Sequence, residues 1–156
     1  MAIVALTTFI EVRDSRNRVQ YRHQNSQPGK KIKLGSQSFS YLSFLYQGAA
    51  KSRTGDNLEA ALVMSDNWLS KGIAAKAVRN NWRVRVDSCV MNSGFTAVSR
   101  TLTTDYWLMA SMSYDTTTVE ILLSSAIDAV GVNGPTRVLT TAQVGALPVT
   151  GSLSNR

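Results

Sequence analysis

The chain has 156 residues, 44% of them hydrophobic, and a formal net charge of +7 at neutral pH. This length and composition are ordinary for one globular domain, and no run of about 18 apolar residues exists to span a membrane. Residues 1–6 lack the basic region and long apolar core of a signal peptide. Because Cys89 is the one cysteine, an internal disulfide framework and a cysteine-based metal cluster are excluded.

The positive charge fits three kinds of partner: nucleic acid, an anionic surface, or an acidic neighbour in an assembly. The densest basic group is Lys30, Lys31 and Lys33, and a second group runs from Arg13 to Arg22. Neither group shows the alternation of basic and aromatic side chains that stacks on bases. A charged face matched to another subunit is therefore favoured, and direct nucleic-acid binding is the less favoured interpretation.

The first part of the chain predicts a hairpin followed by a loop. Residues 7–12 and 19–23 read as two strands, and the sequence Asp14-Ser15-Arg16-Asn17 between them is a turn signal. The polar stretch 24–31 contains Pro28-Gly29 and predicts a mobile loop. A short strand is expected over 32–34.

The next stretch predicts strand, loop, strand, helix and strand. Residues 39–45 carry apolar side chains on both faces, which predicts one strand buried on both sides, and a mobile loop is expected over 47–57. After an alternating strand ending at Met64, three consecutive N-cap candidates, Ser65, Asp66 and Asn67, predict a helix over about 66–80. The alternation that begins at Trp82 predicts the strand that follows.

The last part of the chain predicts a β-meander and then an arm. Residues 86–91, 95–103 and 106–114 read as three strands, and a further strand is expected around 119–123. The composition then shifts to glycine, threonine and serine with little periodicity. We therefore predict two parts: a β-rich domain over 1–130 and an extended C-terminal arm over 131–156. The fold class is α+β, mainly antiparallel β, with one main helix.

The residue types that carry chemistry are scarce and scattered. His23 is the sole histidine, in a polar stretch, and is interpreted as a solvated residue at a strand end. No metal-ligand or phosphate-binding spacing occurs, and Cys89 is interpreted as a small buried hydrophobe on a strand. The three tryptophans, Trp68, Trp82 and Trp107, fall at predicted core positions, with an interface anchor as the alternative. We therefore expect no catalytic site, no metal and no cofactor.

The order of elements over 39–86 resembles the N-terminal region of the phage minor tail protein L family, the tail-tip hub components of lambda-like phages. The resemblance covers roughly residues 5–130 in order and pattern. That family has a C-terminal cysteine cluster that binds an iron–sulfur centre, and because this chain has only Cys89, no cluster is carried over. The family's Arg-Pro-x-Leu segment is replaced here by residues 53–58. The matching positions are Phe39, Tyr41 and Phe44, then Gly48 and Arg53, then Leu62, Met64 and Asn67.

The resemblance implies a tail-tube or hub-like β-sandwich or barrel. It further implies a non-enzymatic structural protein of the virion, at a phage tail tip or baseplate, made in the cytoplasm of a bacterial host. Copies of the chain would form a ring, trimeric or hexameric, that joins the tail tube to the tip and contacts other tail proteins. No membrane is involved. We expect the subunit interface in the second loop and the arm, at Lys51, Arg53, Asp56, Arg137, Val138, Leu139, Val144 and Leu147.

Two alternative functions fit the same sequence. One is another virion component, such as a neck, connector or capsid-cementing protein, since the basic balance and the β-rich pattern allow it equally. The other is a basic nucleic-acid-binding module that would use the two basic groups, and it requires binding with a steep dependence on salt.

Overall fold

The computed structural model describes residues 5–48 and 59–125 of the chain. Within these ranges nine strands form one open, mostly antiparallel sheet beside a single helix, so the predicted α+β class dominated by antiparallel strands is confirmed. No helix in the same ranges has the length and hydropathy that crossing a bilayer requires. The elements are β1 (Leu6–Arg13), β2 (Val19–Gln24), β3 (Ile32–Leu34), β4 (Gln37–Tyr41), β5 (Phe44–Gln47), β6 (Glu59–Ser65), α1 (Trp68–Arg79), β7 (Arg83–Met91), β8 (Val98–Tyr114) and β9 (Thr118–Ser124).

The strand order in the sheet is β3-β4-β2-β1-β7-β8-β9-β6-β5. The one parallel pair is β2 with β4, which are in register where His23 faces Ser40 and Gln24 faces Tyr41. The predicted hairpin of β1 and β2 is confirmed, and the backbone of Asp14 closes its turn through a 2.9 Å hydrogen bond to the carbonyl of Arg18.

The long strand β8 belongs to both halves of the sheet. Its first part, as far as Leu108, pairs with β7, and its second part, from Leu108 to Tyr114, pairs with β9. The sequence predicted two strands here, which is wrong because Asp105 continues the ladder opposite Val86 instead of forming a turn. The register shifts between Met109 and Ser111, and such bulges bend a strand.

The bend at β8 curls the sheet on itself. In a flat sheet β5 would lie about 14 Å from β8, three strand spacings away. Instead the hydroxyl of Tyr46 on β5 lies 3.0 Å from the carboxylate of Asp105 on β8, and the indole of Trp107 donates to the same hydroxyl over 2.8 Å. The two predicted alternatives, a sandwich or a barrel, are therefore refined to one open sheet folded around a shared strand.

The main core lies inside this fold, where α1 packs against the sheet. The helix buries Ser70, Ile73, Ala74 and Ala77. It starts at a capping box, in which the Asn67 side chain accepts from the backbone of Ser70 and the Ser70 hydroxyl accepts from the backbone of Asn67. The predicted helix is thus confirmed, with ends one or two residues inside the expected bounds. The sheet's contribution to this core comprises Ile10, Val12, Leu62, Met64, Val84, Val86, Met109, Val119, Ile121 and Leu123, among others.

A second, smaller core lies on the other face of the sheet, under the hairpin of β3 and β4. Phe9 on β1 meets Phe39 on β4 edge to face, with ring centroids 5.2 Å apart. Ile32, Cys89 and Met91 complete this cluster. Cys89 is fully buried on a strand, as predicted, and burial raises the pKa of its thiol. The hairpin therefore covers only the end of the face that contains Cys89.

The stretch predicted as one strand over 39–45 is two strands, because the chain passes from one core to the other within it. Phe39 on β4 belongs to the smaller core, whereas Leu42 and Phe44 belong to the main core. At the break, the backbone of Leu42 donates to the carbonyl of Gln24, and β5 then pairs with β6. The predicted burial on both faces holds for Phe39, Leu42 and Phe44, which belong to two different cores, but is wrong for Leu45, which is 56% exposed.

The loop over 24–31, predicted to be mobile, is tied together by one side chain. Gln24 is fully buried. Its amide nitrogen donates to the carbonyls of Gln27 and Lys30, at 2.8 and 3.1 Å. Its oxygen accepts from the backbone of Ser26 and of Gln27, at 2.7 and 2.9 Å. One glutamine thus satisfies four backbone groups of the turn.

We expect Gln24→Ala to lower the free energy of unfolding by about 2 kcal/mol, because it leaves buried backbone groups without partners. Urea denaturation followed by circular dichroism measures this. Gln27→Ala is the matched control, since the Gln27 side chain makes no hydrogen bond to another described residue. Equal midpoints for the two variants would contradict this account of the loop.

Candidate interaction site

The predicted interface residues lie outside the described part of the chain, so their structural role stays a prediction. They are Lys51, Arg53 and Asp56 in the second loop, and Arg137, Val138, Leu139, Val144 and Leu147 in the arm. The same holds for most of the loop over 47–57 and for the whole arm over 131–156.

The face of the sheet opposite the helix is the outer face. The end of this face that the β3–β4 hairpin does not cover carries a row of charged side chains. The strand registers place Arg22 of β2 opposite Glu11 of β1, Glu11 opposite Arg85 of β7, and Arg85 opposite Tyr106 of β8. Two residues further along each strand, and so on the same face, Arg13 and Arg83 are opposite each other. Directly opposite residues share a face of the sheet, so these side chains form one surface.

Glu11 is the centre of this row and has no exposed side-chain surface. Its carboxylate lies 2.6 Å from the guanidinium of Arg13, 2.7 Å from that of Arg22 and 3.6 Å from that of Arg85. Arg85 also binds the buried Asp87 over 2.8 Å. Burial by itself would raise the pKa of Glu11, but the hydrogen bonds from Arg22 and Arg13 and the charge of Arg85 outweigh it and lower that pKa.

A cleft of about 340 Å³ opens beside this network. A second, mainly apolar pocket of about 240 Å³ adjoins it, and Arg83 and Tyr106 line both. Arg83 is exposed and forms no ion pair with another described residue. No local sequence pattern predicts this site, because the two arginine-bearing segments are about 70 positions apart and only the β1–β7 register joins them. The cleft is lined by Arg13, Asn17, Arg83, Val84, Arg85 and Tyr106, and the pocket adds Trp107 and Leu108.

The two basic groups singled out in the sequence have different roles. Arg13 and Arg22 are paired with Glu11, and Arg18 is paired with Asp14. Lys30, Lys31 and Lys33 are exposed at and beside β3, the terminal strand of the sheet. Lysines on an edge strand discourage unwanted pairing with other chains.

The tryptophans divide into two kinds. Trp107 is buried and Trp82 packs against the main core, as predicted for both. Trp68 is 85% exposed, so its predicted core position is wrong. The reason is the helix start: Asn67 is the N-cap, Trp68 is the first helical residue, and the buried side of the helix begins at Ser70.

Lys71 connects the start of the helix, where Trp68 is exposed, with a second exposed aromatic residue. Lys71, three positions along the helix, is on the same side as Trp68. The Lys71 ammonium lies 5.5 Å from the centre of the Tyr114 ring and 3.1 Å from the carboxylate of Asp66. Tyr114 is 68% exposed. We call Trp68, Lys71 and Tyr114 the aromatic corner.

His23 is buried, so its interpretation as a solvated residue is wrong. It lies on β2 between Ile10 of β1 and Ser40 of β4, and neither ring nitrogen has a hydrogen-bond partner among the described residues. Burial lowers the pKa of His23, and the nearby backbone of Ser40 offsets part of that shift. In the same part of the chain, no group of three or more histidine, cysteine, aspartate or glutamate residues is placed to hold a metal ion.

We expect Glu11→Gln to lower the free energy of unfolding by roughly 3 kcal/mol at neutral pH, because three arginines lose the carboxylate that pairs them. The folded-state pKa of Glu11 is lowered, so its contribution is complete above the unfolded value of 4.5 and is lost as the pH falls through the folded value. The difference between wild type and variant should therefore shrink in acid.

Denaturation of both proteins between neutral pH and about pH 3 measures this difference. Glu120→Gln is the control, since the half-buried Glu120 forms no ion pair with another residue in 5–48 or 59–125. A pH-independent gap between wild type and Glu11→Gln would show that the carboxylate charge is not what stabilises the row.

Comparison with known proteins adds no relative: no protein-family model matches the chain, and no curated protein matches it significantly.

Proposed function

We propose that the chain is a non-enzymatic structural subunit of a phage tail tip or baseplate, which assembles with copies of itself into a ring between tail tube and tip. The observation that carries the assembly role is the aromatic corner. Trp68 is 85% exposed on a helix whose first turn is fixed by a capping box. Exposed aromatic side chains on rigid elements are typical centres of protein interfaces.

The free edge of β8 supports the same role. Its first part pairs with β7 on one side, and on the other side residues 98–107 have no strand partner within the described ranges. Residues 99–104 are exposed on both faces, and Arg100 is the one charge among them. A long and weakly charged edge is a liability for a monomer, whereas in an assembly it is a pairing surface.

The tail-tip assignment follows from the resemblance of the element order. The observed succession β4, β5, β6, α1, β7 is compatible with that order, except that its first strand is divided into β4 and β5, and most of its loop lies outside the described residues. The matching side chains Phe39, Phe44, Leu62 and Met64 are all buried. They are therefore framework positions of this fold, and the contacts with neighbouring subunits fall elsewhere on its surface.

Replacing the exposed tryptophan tests the assembly role. We expect Trp68→Ala to leave the midpoint of urea unfolding of the dissociated chain unchanged, since the side chain is outside the core. We expect the same change to weaken self-association by about 2 kcal/mol, roughly thirtyfold in the dissociation constant, because anchors of interfaces contribute energy of this size. Sedimentation velocity over a range of protein concentrations measures it.

Leu122→Ala is the control, since Leu122 is also a large exposed hydrophobic residue and lies on β9, away from the helix start. Assembly that is unchanged in Trp68→Ala, or reduced equally in both variants, would count against the aromatic corner as the interface. A full-length chain that stays monomeric at high concentration would overturn the proposed function.

A further inference from the structure

We infer that the cleft beside Arg83 binds an acidic segment of a partner protein, one that places a carboxylate next to an apolar side chain. The inference rests on the proposed function, since it names the chemistry of a neighbour in the assembly. It concerns a surface distinct from the aromatic corner, because no residue of the corner lines the cleft, and Tyr106 and Tyr114 are eight positions apart on β8.

The charge of the cleft favours an anion. Arg13, Arg83 and Arg85 line the cleft. When the adjoining ion-pair network is included, four arginines, at positions 13, 22, 83 and 85, stand against two carboxylates, Glu11 and Asp87, which leaves a balance of +2. Glu11 and Asp87 hold three of these arginines in fixed positions. Arg83 has no such partner among the described residues, so its guanidinium is available to a ligand from outside.

The arrangement of the arginines suits a carboxylate. Arg83 and Arg13 are direct cross-strand partners, and Arg85 is on the same face two positions from Arg83. A guanidinium presents two parallel donors that match the two oxygens of a carboxylate. The volume of about 340 Å³ holds one or two acidic side chains.

The adjoining pocket adds a requirement for an apolar group. The pocket is mainly apolar and is lined by Arg83, Tyr106, Trp107 and Leu108, and Tyr106, which is 73% exposed, also lines the cleft. The Tyr106 hydroxyl makes no hydrogen bond to another residue of the described ranges, so it too is free to meet a ligand. A peptide with an acidic residue beside a leucine or an aromatic residue fills both spaces.

A protein segment fits this site better than a nucleic acid does. Binding of single strands needs a basic groove that follows several phosphates. The exposed lysines of the β3–β4 hairpin do not extend the cleft into such a groove, since the hairpin covers the Cys89 end of β7. Arg83 is six positions further along the same strand, about 20 Å away.

The test is a calorimetric titration of the full chain with a short acetylated and amidated peptide, Glu-Asp-Leu-Asp-Glu-Phe, at about 0.1 M salt. We expect Arg83→Glu to weaken binding at least about tenfold, since it removes a charged hydrogen-bond donor and adds a repulsive charge. Arg100→Glu is the matched control: it changes the net charge equally, on an exposed strand position outside the cleft. This control should bind the peptide as the wild type does.

Equal weakening in the two variants, or no binding by the wild type, would overturn the inference. Tighter binding of a short oligothymidylate than of the peptide, lost in Arg83→Glu, would assign the cleft to nucleic acid instead. Trp68→Ala should bind the peptide normally even where it fails to assemble. Loss of peptide binding with assembly intact therefore removes this inference alone, and failure of assembly with peptide binding intact removes only the proposed function.

Discussion

The fold depends on one strand that serves two half-sheets. β8 pairs with β7 along its first part and with β9 along its second, and the bulge between Met109 and Ser111 lies at the change of partner. The bend brings Tyr46 of the terminal strand against Asp105. Burial and the hydrogen bond to that carboxylate raise the pKa of Tyr46 to about 12, so the phenol keeps its proton at any pH of interest. The space enclosed by the curl is where α1 packs.

Because the sheet curls around the helix, the helix covers only its inner face. The outer face of the β2, β1 and β7 strands is covered in two other ways. The β3–β4 hairpin covers one end with the Phe39 contact to Phe9. At the other end the guanidinium groups of Arg13, Arg22 and Arg85 surround the buried carboxylate of Glu11, and these long side chains stay partly exposed to water. Two of the arginines that cover this end of the outer face also line a cleft with a surplus of positive charge.

The sequence predicted the features that local chemistry determines. The helix followed from Asn67 as cap and from the 3.6-residue period, and the first hairpin followed from the turn at Asp14. The predictions that were wrong concern features that depend on strand pairing between distant parts of the chain. The single long strand through Asp105 needed the β7 ladder, and the burial of His23 needed β4 at its side. The charged row required the register of Glu11 with Arg22 and Arg85, about 11 and 74 positions away, which no local pattern contains.

The proposed assembly of this chain with copies of itself is tested by measuring its oligomeric state. Native mass spectrometry of the full chain at near-physiological ionic strength resolves the species present. We predict one closed oligomer, with three or six copies as the resemblance implies, that persists on dilution well below the concentration of first detection. A chain that remains monomeric at every concentration would contradict it.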